Sequence, residues 1–254
     1  MTSEIHLVAD ANELNHVAAA EFLRQAIAAV QSKSFFTVAL SGGSTPKSLY
    51  ALLANDAALH AQVPWDKIHF FWGDERHVPP DHADSNYRMA HEALLAKVPV
   101  PTAHIHRIEA EHSDANHVAT AYEQTLQEFF QVPTRQIPQF DLILLGMGPD
   151  GHTASLFPGT AALNEQTRLV VANWVEKFNA YRITFTLPLL NNAACIVFLV
   201  SGEEKADTLH LVLQEEQQPR RFPSQLVRPT HGRLLWLIDR AAARLLSPKA
   251  GMDA

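Results

Sequence analysis

The sequence predicts an α/β fold in which a mostly parallel sheet is flanked by helices. Short apolar, β-branched segments alternate along the chain with longer segments whose apolar residues recur at helical spacing. Several of the apolar segments end in glycine and polar residues, which is typical of strands that lead into ligand-binding loops. The 254 residues contain no internal repeat, low-complexity tract or convincing linker, so we predict one domain over residues 1–254.

The first half of the chain divides into strands and helices by its hydrophobic periodicity. In order, we predict an edge strand at 4–8, a helix at 12–30, a strand at 35–40, a helix beginning near Pro46, a strand at 68–74, a helix near 86–96, a strand at 104–108 and a helix at 115–130. Proline suits the first position of a helix, so Thr45 is the predicted N-cap of the helix that begins at Pro46.

The second half continues the alternation and contains the most strongly apolar strand. In order, we predict a strand at 140–147, a helix beginning in TASLF (153–157), strands at 182–187 and 194–202, a helix at 203–214, an exposed loop at 214–225, a strand at 234–239 and a helix at 240–246. The loop assignment follows from the polar, proline-containing composition of QEEQQPRRFPSQ.

Four predicted strands lead directly into loops of glycine and polar residues. These loops are SGGSTP after 35–40, GDERHVPP after 68–72, GMGPDGH after 140–145 and SGEEK after 195–200. Ligands of open parallel sheets bind outside the carboxyl ends of the strands. If the four strands are parallel, their loops meet at one edge of the sheet, and we expect them to form a single pocket.

The amino-acid composition argues against several classes of protein. Apolar residues make up 47% of the chain, which argues against disorder, and a net charge of −7 argues against a nucleic-acid partner. The single cysteine, Cys195, lies in an apolar run and fits a buried position in a reducing compartment. The sequence shows neither a secretion signal nor a run of about 20 apolar residues, so we expect a cytoplasmic protein that does not enter a membrane.

The loop LSGGSTPKSLY (40–50) predicts an anion site. The backbone amides of Gly43, Ser44 and Thr45, with two hydroxyl groups, would surround a phosphate at a helix N-terminus. A P-loop and a nucleophile elbow both require glycine at the position of Pro46, so the loop is neither motif. A capped turn without a ligand is the alternative.

The loop after 68–72 contributes Arg76, whose guanidinium could bind a phosphate or a developing oxyanion. Its histidines and aspartates match no metal-ligand spacing, so we predict no metal, and a solvated loop is the alternative.

Arg182 and Lys205 are surface charges if taken alone, but close to the other loops they become ligands of an anion.

The segment LLGMGPDGHTASLFPG (144–159) presents His152 after a glycine-rich turn at the end of a buried strand. A neutral imidazole can accept a proton from water and later donate it. Asp150 either orients His152 or is solvated, and the sequence leaves both possibilities open. No serine or cysteine nucleophile motif is present, so the pattern indicates attack by water on a reactive carbonyl such as that of a sugar-phosphate lactone, without a cofactor.

The motifs LSGGSTPKSLY, FFWGDERHVPPDHADSNY, LLGMGPDGHTASLFPG, RITFTLPLLNNA and SGEEKA resemble those of the 6-phosphogluconolactonase family, in the family's order and over nearly the whole chain. The resemblance implies hydrolysis of 6-phospho-D-glucono-1,5-lactone in the pentose phosphate pathway. It also implies a Rossmann-like sheet without a nucleotide, similar to the fold of glucosamine-6-phosphate deaminases and ribose-5-phosphate isomerases.

The same resemblance implies a role for each candidate residue. His152 matches the general base, Arg76 the arginine at the reacting end of the pocket, and Arg182 and Lys205 ligands of the substrate's anionic groups. The loop at the sugar-phosphate site is matched by Gly43, Ser44 and Thr45.

Two alternatives are a related enzyme, the deaminase, and a protein of another functional class, a sensor. A glucosamine-6-phosphate deaminase would have Asp-Glu-Tyr where this chain has Asp-Glu-Arg at 74–76, and Asn-Glu-Pro where it has Leu-Phe-Pro at 156–158. A sugar-phosphate sensor that binds without turnover would keep the anion loop and lose the histidine, whereas His152 is present. Both comparisons favour the lactonase.

Overall fold

The computed structural model describes residues 3–132, 136–247 and 252–253. Within these residues the strands are, in chain order, β1 (Glu4–Val8), β2 (Phe36–Leu40), β3 (Ile68–Trp72), β4 (Asp74–Arg76), β5 (Leu142–Gly146), β6 (Val170–Val175), β7 (Ala180–Phe185), β8 (Cys195–Val200), β9 (Arg233–Asp239) and β10 (Met252–Asp253). The helices are α1 (Ala11–Lys33), α2 (Ser44–Asn55), α3 (Ala57–Gln62), α4 (Asn86–Ala93), α5 (Ala115–Phe130), α6 (Leu187–Leu190), α7 (Ala206–Leu213) and α8 (Arg240–Ala243). None of the helices in the described ranges combines the length and the apolarity that a membrane span requires.

Seven strands form one sheet in the order β10-β1-β9-β8-β5-β2-β3, and every pairing in it is parallel. The central strands β2, β5 and β8 are almost entirely buried, because helices cover both faces of a parallel sheet. The prediction of a mostly parallel sheet flanked by helices is confirmed. The order of strands reverses between β2 and β5, so the loops that follow these two strands are neighbours.

A second, antiparallel sheet of three strands has the order β4-β7-β6. Its strands β6 and β7 form a hairpin whose turn contains a 3₁₀ segment, Glu176–Phe178, and Asn179 in the left-handed conformation with φ of 47°. The exposed side chains of Trp174 and Tyr181 pair across this hairpin, with ring centroids 5.0 Å apart. The sequence predicted only β7 of this sheet as a separate strand and missed the hairpin.

Three predictions about helix and strand boundaries are wrong. The N-cap of α2 is Gly43 rather than Thr45, because the left-handed φ of 109° at Gly43 lets the helix begin at Ser44. The segment 104–108 forms no strand and contributes an isolated bridge from Ile105 to Phe70. The segment 153–157 is a turn rather than a helix, closed by a bridge between Thr153 and Leu156.

Two predictions about exposure are also wrong. Strand β1 is not an edge strand in the described structure, because β10 pairs along its outer side. The predicted exposed loop at 214–225 ends in a buried stretch, in which Phe222 contacts the loop after β5 and Pro223, Ser224 and Gln225 begin a 3₁₀ turn. Cys195 is buried in β8, as its apolar context predicted.

Candidate active site

A cavity of about 260 Å³ lies at the carboxyl edge of the parallel sheet, where the order of strands reverses. The loops after β2, β3, β5 and β8 all contribute to its lining, so the predicted meeting of the four loops occurs in the structure. Six of the predicted site residues line the cavity: Gly43, Ser44, Thr45, Arg76, His152 and Lys205. Asp150 and Arg182 are not part of the lining. This volume lies just below the range of about 300–1,000 Å³ that is common for ligand pockets, so the cavity suits a small metabolite.

The loop after β2 is held in place by a buried tyrosine. The Tyr50 hydroxyl accepts a hydrogen bond from the Ser41 amide at 3.0 Å and donates one to the Ser41 carbonyl at 2.9 Å. A Cβ atom on Gly42 would lie 2.0 Å from the side-chain oxygen of Asn86, so only glycine fits there. These contacts fix the start of α2, whose first residues line the cavity. The amides of a helix's first turn have no partner within the helix, and they favour an anion there.

The loop after β5 folds into a tight turn that presents His152. The Gly148 amide donates to the His152 carbonyl at 2.9 Å, and the Gly151 amide donates to the Gly148 carbonyl at 3.0 Å. Gly151 has a φ of 74°, a left-handed conformation that favours glycine. A Cβ atom on Gly148 would lie 2.0 Å from the imidazole of His152, so the missing side chain makes room for the ring.

Two segments that lie later in the chain donate hydrogen bonds to the loop after β5. The backbone amide and the hydroxyl of Ser224 donate to the Gly151 carbonyl at 2.9 and 2.8 Å. The Thr208 hydroxyl on α7 donates to the Pro149 carbonyl at 2.6 Å. The position of His152 therefore depends on residues that lie more than 50 positions further along the chain.

The imidazole of His152 is hydrogen-bonded to the carboxylate of Asp150 through Nδ1 and Oδ1. Burial raises the pKa of Asp150, but hydrogen bonds from His152 and Lys177 outweigh burial and hold that pKa well below its ordinary value. An ionised carboxylate only accepts hydrogen bonds, so Nδ1 carries the proton and Nε2 has the free lone pair. The ring of Phe157 stacks on the imidazole at 4.0 Å and limits its rotation.

Arg76 is positioned by the buried carboxylate of Glu75. Glu75 is 1% exposed and accepts hydrogen bonds at 2.7 Å from the backbone amides of Arg76, Asn86 and Tyr87, which closes the loop back onto the start of α4. Burial raises the pKa of Glu75, and these backbone hydrogen bonds offset part of that effect. The Arg76 guanidinium donates to the Asp84 carbonyl at 2.5 Å, so its contact within the loop is with a neutral group.

The two remaining predicted cations lie in different places. Lys205 ends the 3₁₀ segment after β8 and lines the cavity. Arg182 on β7 lies opposite Arg76 in the β4–β7 ladder, with its guanidinium 5.1 Å from the ring centroid of Phe178. Burial and the neighbouring charge of Arg76 lower the pKa of Arg182. The role of Arg182 in binding a substrate stays a prediction.

A buried polar network that the sequence did not predict joins the small antiparallel sheet to the loop after β5. The Ser155 hydroxyl donates to Asp74 at 2.6 Å, and the Ser155 amide donates to the Thr184 hydroxyl at 3.2 Å. The side-chain amide of Asn173 on β6 donates to the Ser155 carbonyl at 2.9 Å. Because β6 was missed, no sequence signal pointed to Asn173, and the network becomes apparent only in three dimensions.

The described part of the chain contains no group of three or more histidine, cysteine, aspartate or glutamate side chains arranged to hold a metal ion. The expectation of a metal-independent site stays a prediction.

The parallel sheet, the reversal of strand order and the cavity at that point define an α/β protein whose candidate ligand pocket lies at a topological switch point. A family model described as "Glucosamine-6-phosphate isomerases/6-phosphogluconolactonase" matches residues 9–236. The chain belongs to this family.

Individual relatives agree with that assignment. A protein of Synechocystis sp. named 6-phosphogluconolactonase is 46% identical over 220 residues, which covers 87% of this chain and 88% of the relative. The structure of 6-phosphogluconolactonase from Trypanosoma cruzi superposes with a TM-score of 0.86 at 30% identity, covering 97% of this chain and 98% of that chain. A monomeric glucosamine-6-phosphate deaminase has a TM-score of 0.79 at 21% identity, covering 95% and 99% of the two chains, and this likeness concerns the fold alone.

Proposed function

We propose that the protein hydrolyses 6-phospho-D-glucono-1,5-lactone to 6-phospho-D-gluconate, with His152 as the general base. The observation that carries the proposal is a histidine whose Nδ1 is held by Asp150 and whose ring lines a cavity shared with Arg76 and Lys205. The names of the similar proteins support the same reaction. We further propose that the enzyme acts in the cytoplasm, in the oxidative branch of the pentose phosphate pathway.

The first chemical step is the attack of water on the lactone carbonyl. Nε2 of His152 takes a proton from the water while the water oxygen bonds to C1, and the carbonyl electrons move onto the carbonyl oxygen. Asp150 stabilises the imidazolium that forms, because its carboxylate accepts the Nδ1 hydrogen bond. In this proposal Arg76 faces the developing oxyanion, since a guanidinium binds negative oxygen through several donors.

The second step breaks the ring. The bond from C1 to the ring oxygen cleaves, the imidazolium returns its proton to that oxygen, and the acid formed at C1 ionises in water. The phosphate, which is the anionic group of the lactone, binds near Gly43, Ser44 and Thr45 at the start of α2. Lys205 lines the same cavity and contributes positive charge towards this phosphate. Arg182 lies outside the lining, opposite Arg76 in the β4–β7 ladder, and we propose that it also binds the phosphate. No covalent intermediate is needed, because the lactone is already a reactive ester.

The experiment compares the wild-type protein with His152→Gln on freshly prepared phosphogluconolactone. Acid release is followed above the spontaneous rate, and we expect kcat to fall by about 10²- to 10⁴-fold, the usual contribution of a general base. The affinity for 6-phosphogluconate, measured by calorimetry, should change little because the substitution leaves the anion ligands in place.

The matched control is His91→Gln, which changes an exposed histidine on α4 that does not line the cavity and should leave kcat unchanged. An unchanged rate in His152→Gln would refute the assignment of the base. Ammonia release from glucosamine-6-phosphate by the wild-type protein would instead support the deaminase.

A further inference from the structure

The turn of the β6–β7 hairpin places Lys177 in contact with Asp150, the residue that is hydrogen-bonded to His152. The ammonium group of Lys177 contacts Oδ2 of Asp150 at 3.2 Å, while Oδ1 of the same carboxylate binds His152. One oxygen of Asp150 therefore contacts the ammonium group of Lys177, and the other contacts the imidazole of His152. The Lys177 side chain is 57% exposed, so the contact lies at the rim of the site rather than inside it.

The same turn also contacts Phe157, the residue whose ring stacks on the imidazole. Phe178, the next residue, packs edge-on against Phe157 with ring centroids 5.6 Å apart, and Phe157 stacks on His152. The hairpin that carries both residues is anchored by the buried side chain of Asn173, which donates to the Ser155 carbonyl. A single hairpin turn thus touches both groups that hold the ring.

We propose that Lys177 is a positioning residue of the proposed lactonase, which fixes the carboxylate of Asp150 through its second oxygen and weakens the basicity of His152. This inference rests on the proposed role of His152 as the base. It adds to the pair of His152 and Asp150 a third residue, which lies in the turn of the β6–β7 hairpin.

The physical reason is the competition of two cations for one carboxylate. When His152 takes a proton from water it becomes an imidazolium that is stabilised by Asp150, and the nearby ammonium of Lys177 opposes this charge. Lys177 therefore opposes the build-up of positive charge on the ring. The other charged residues that line the cavity with His152 are Asp74, Arg76, Glu204 and Lys205. All four remain in a Lys177 variant, so the comparison with wild type isolates the effect of Lys177.

The test is the pH profile of kcat/KM for wild type, Lys177→Met and Lys177→Arg. Loss of the charge should move the acidic limb of the profile to higher pH by about half a unit, a size typical of one partly screened charge at the rim of a site. The activity of Lys177→Met should therefore fall below wild type at pH 6 and approach it at pH 8. Lys177→Arg should restore the wild-type limb because the charge is kept.

Lys67→Met is the matched control. Lys67 is also about half exposed and pairs with an aspartate, Asp66, at 3.3 Å, but it lies before β3 at the opposite edge of the sheet. Its profile should coincide with that of wild type.

Two results would overturn the inference. A loss of kcat in Lys177→Met that is equal at every pH, with no displacement of the limb, would mean that Lys177 supports only the structure of the hairpin. A rise in KM alone would mean that Lys177 binds the substrate directly.

A measurement without turnover separates this inference from the proposed function. The imidazole signal of His152 is followed by NMR in the free, ¹³C-histidine-labelled protein, and it is assigned as the signal that disappears in His152→Gln. If this titration moves to higher pH in Lys177→Met while the pH–rate profile stays unchanged, Lys177 acts on His152 as inferred and His152 is not the base. If the titration does not move, the inference fails whatever the reaction is.

Discussion

At the scale of single residues, the space around His152 is defined by a missing side chain. A Cβ atom on Gly148 would lie 2.0 to 2.9 Å from three atoms of the imidazole. The ring cannot simply move away, because Phe157 stacks on one face and Asp150 holds Nδ1. The absence of a side chain at Gly148 is therefore required for the position of the proposed base, His152.

Gly148→Ala is expected to lower kcat on the order of 10²-fold, because displacements of about 1 Å at a reacting group have effects of this size. The protein should stay folded, with an unchanged circular dichroism spectrum. Gly73→Ala is the control, since its added Cβ would lie 3.7 Å from the Leu40 carbonyl in ordinary contact and Gly73 does not line the cavity. Equal activity of both variants would contradict the steric argument.

At the scale of elements, the main sheet was predictable and the small sheet was not. Strands such as β5 and β8 are continuous apolar runs because helices bury both faces of the sheet, and this leaves a clear sequence signal. Strand β4 is three charged or polar residues, Asp74–Arg76, and β6 is interrupted by a buried asparagine. Neither has a simple alternation, and the contact of Lys177 with Asp150 could not be predicted without the hairpin.

Three histidines, His69, His104 and His106, lie close together at the outer strand β3. They lead to a prediction about how the free energy of unfolding depends on pH. His69 on β3 is hydrogen-bonded to His106 at 3.1 Å and stacks against His104 with ring centroids 3.9 Å apart. Burial, followed by the charge of His104, lowers the pKa of both His69 and His106 from 6.5 to about 4. Both imidazoles are therefore neutral in the folded protein at neutral pH.

The sign of the pH dependence follows from these values. Between pH 6.5 and pH 4 the unfolded chain binds protons on His69 and His106 that the folded protein does not bind. The free energy of unfolding is expected to be largest above pH 6.5 and to fall as the pH decreases towards 4. Urea denaturation at several pH values measures this free energy of unfolding. The double variant His69→Asn, His106→Asn should show a shallower decrease than His91→Asn, and equal slopes would contradict this account.

At the scale of the whole molecule, the fold converts distant loops into neighbours. The loops after β2 and β5 are separated by about 100 residues in sequence, yet they meet because β2 and β5 are adjacent where the strand order reverses. The glycine-rich strand ends predicted this meeting, since parallel strands share one carboxyl edge. The sequence could not predict which side chains of these loops reach the cavity. Arg182 and Asp150, both predicted site residues, are not part of the cavity lining.

The net charge of −7 means that the whole protein repels an anionic substrate, so binding depends on local cations and helix amides. We therefore predict that no metal ion is required to neutralise the phosphate. We expect prolonged treatment with EDTA, followed by gel filtration, to leave kcat and KM unchanged. A loss of activity that a divalent metal restores would contradict this expectation.

The exposed aromatic residue on the β6–β7 hairpin has a practical consequence. Of the four tryptophans, Trp65, Trp72 and Trp236 are buried, whereas Trp174 is 41% exposed. It lies three residues before Lys177 on the same hairpin. Indole fluorescence depends on solvent contact, so quenching by acrylamide reports mainly on this one residue. The unlabelled protein thus contains its own optical reporter for any displacement of the hairpin when a ligand enters.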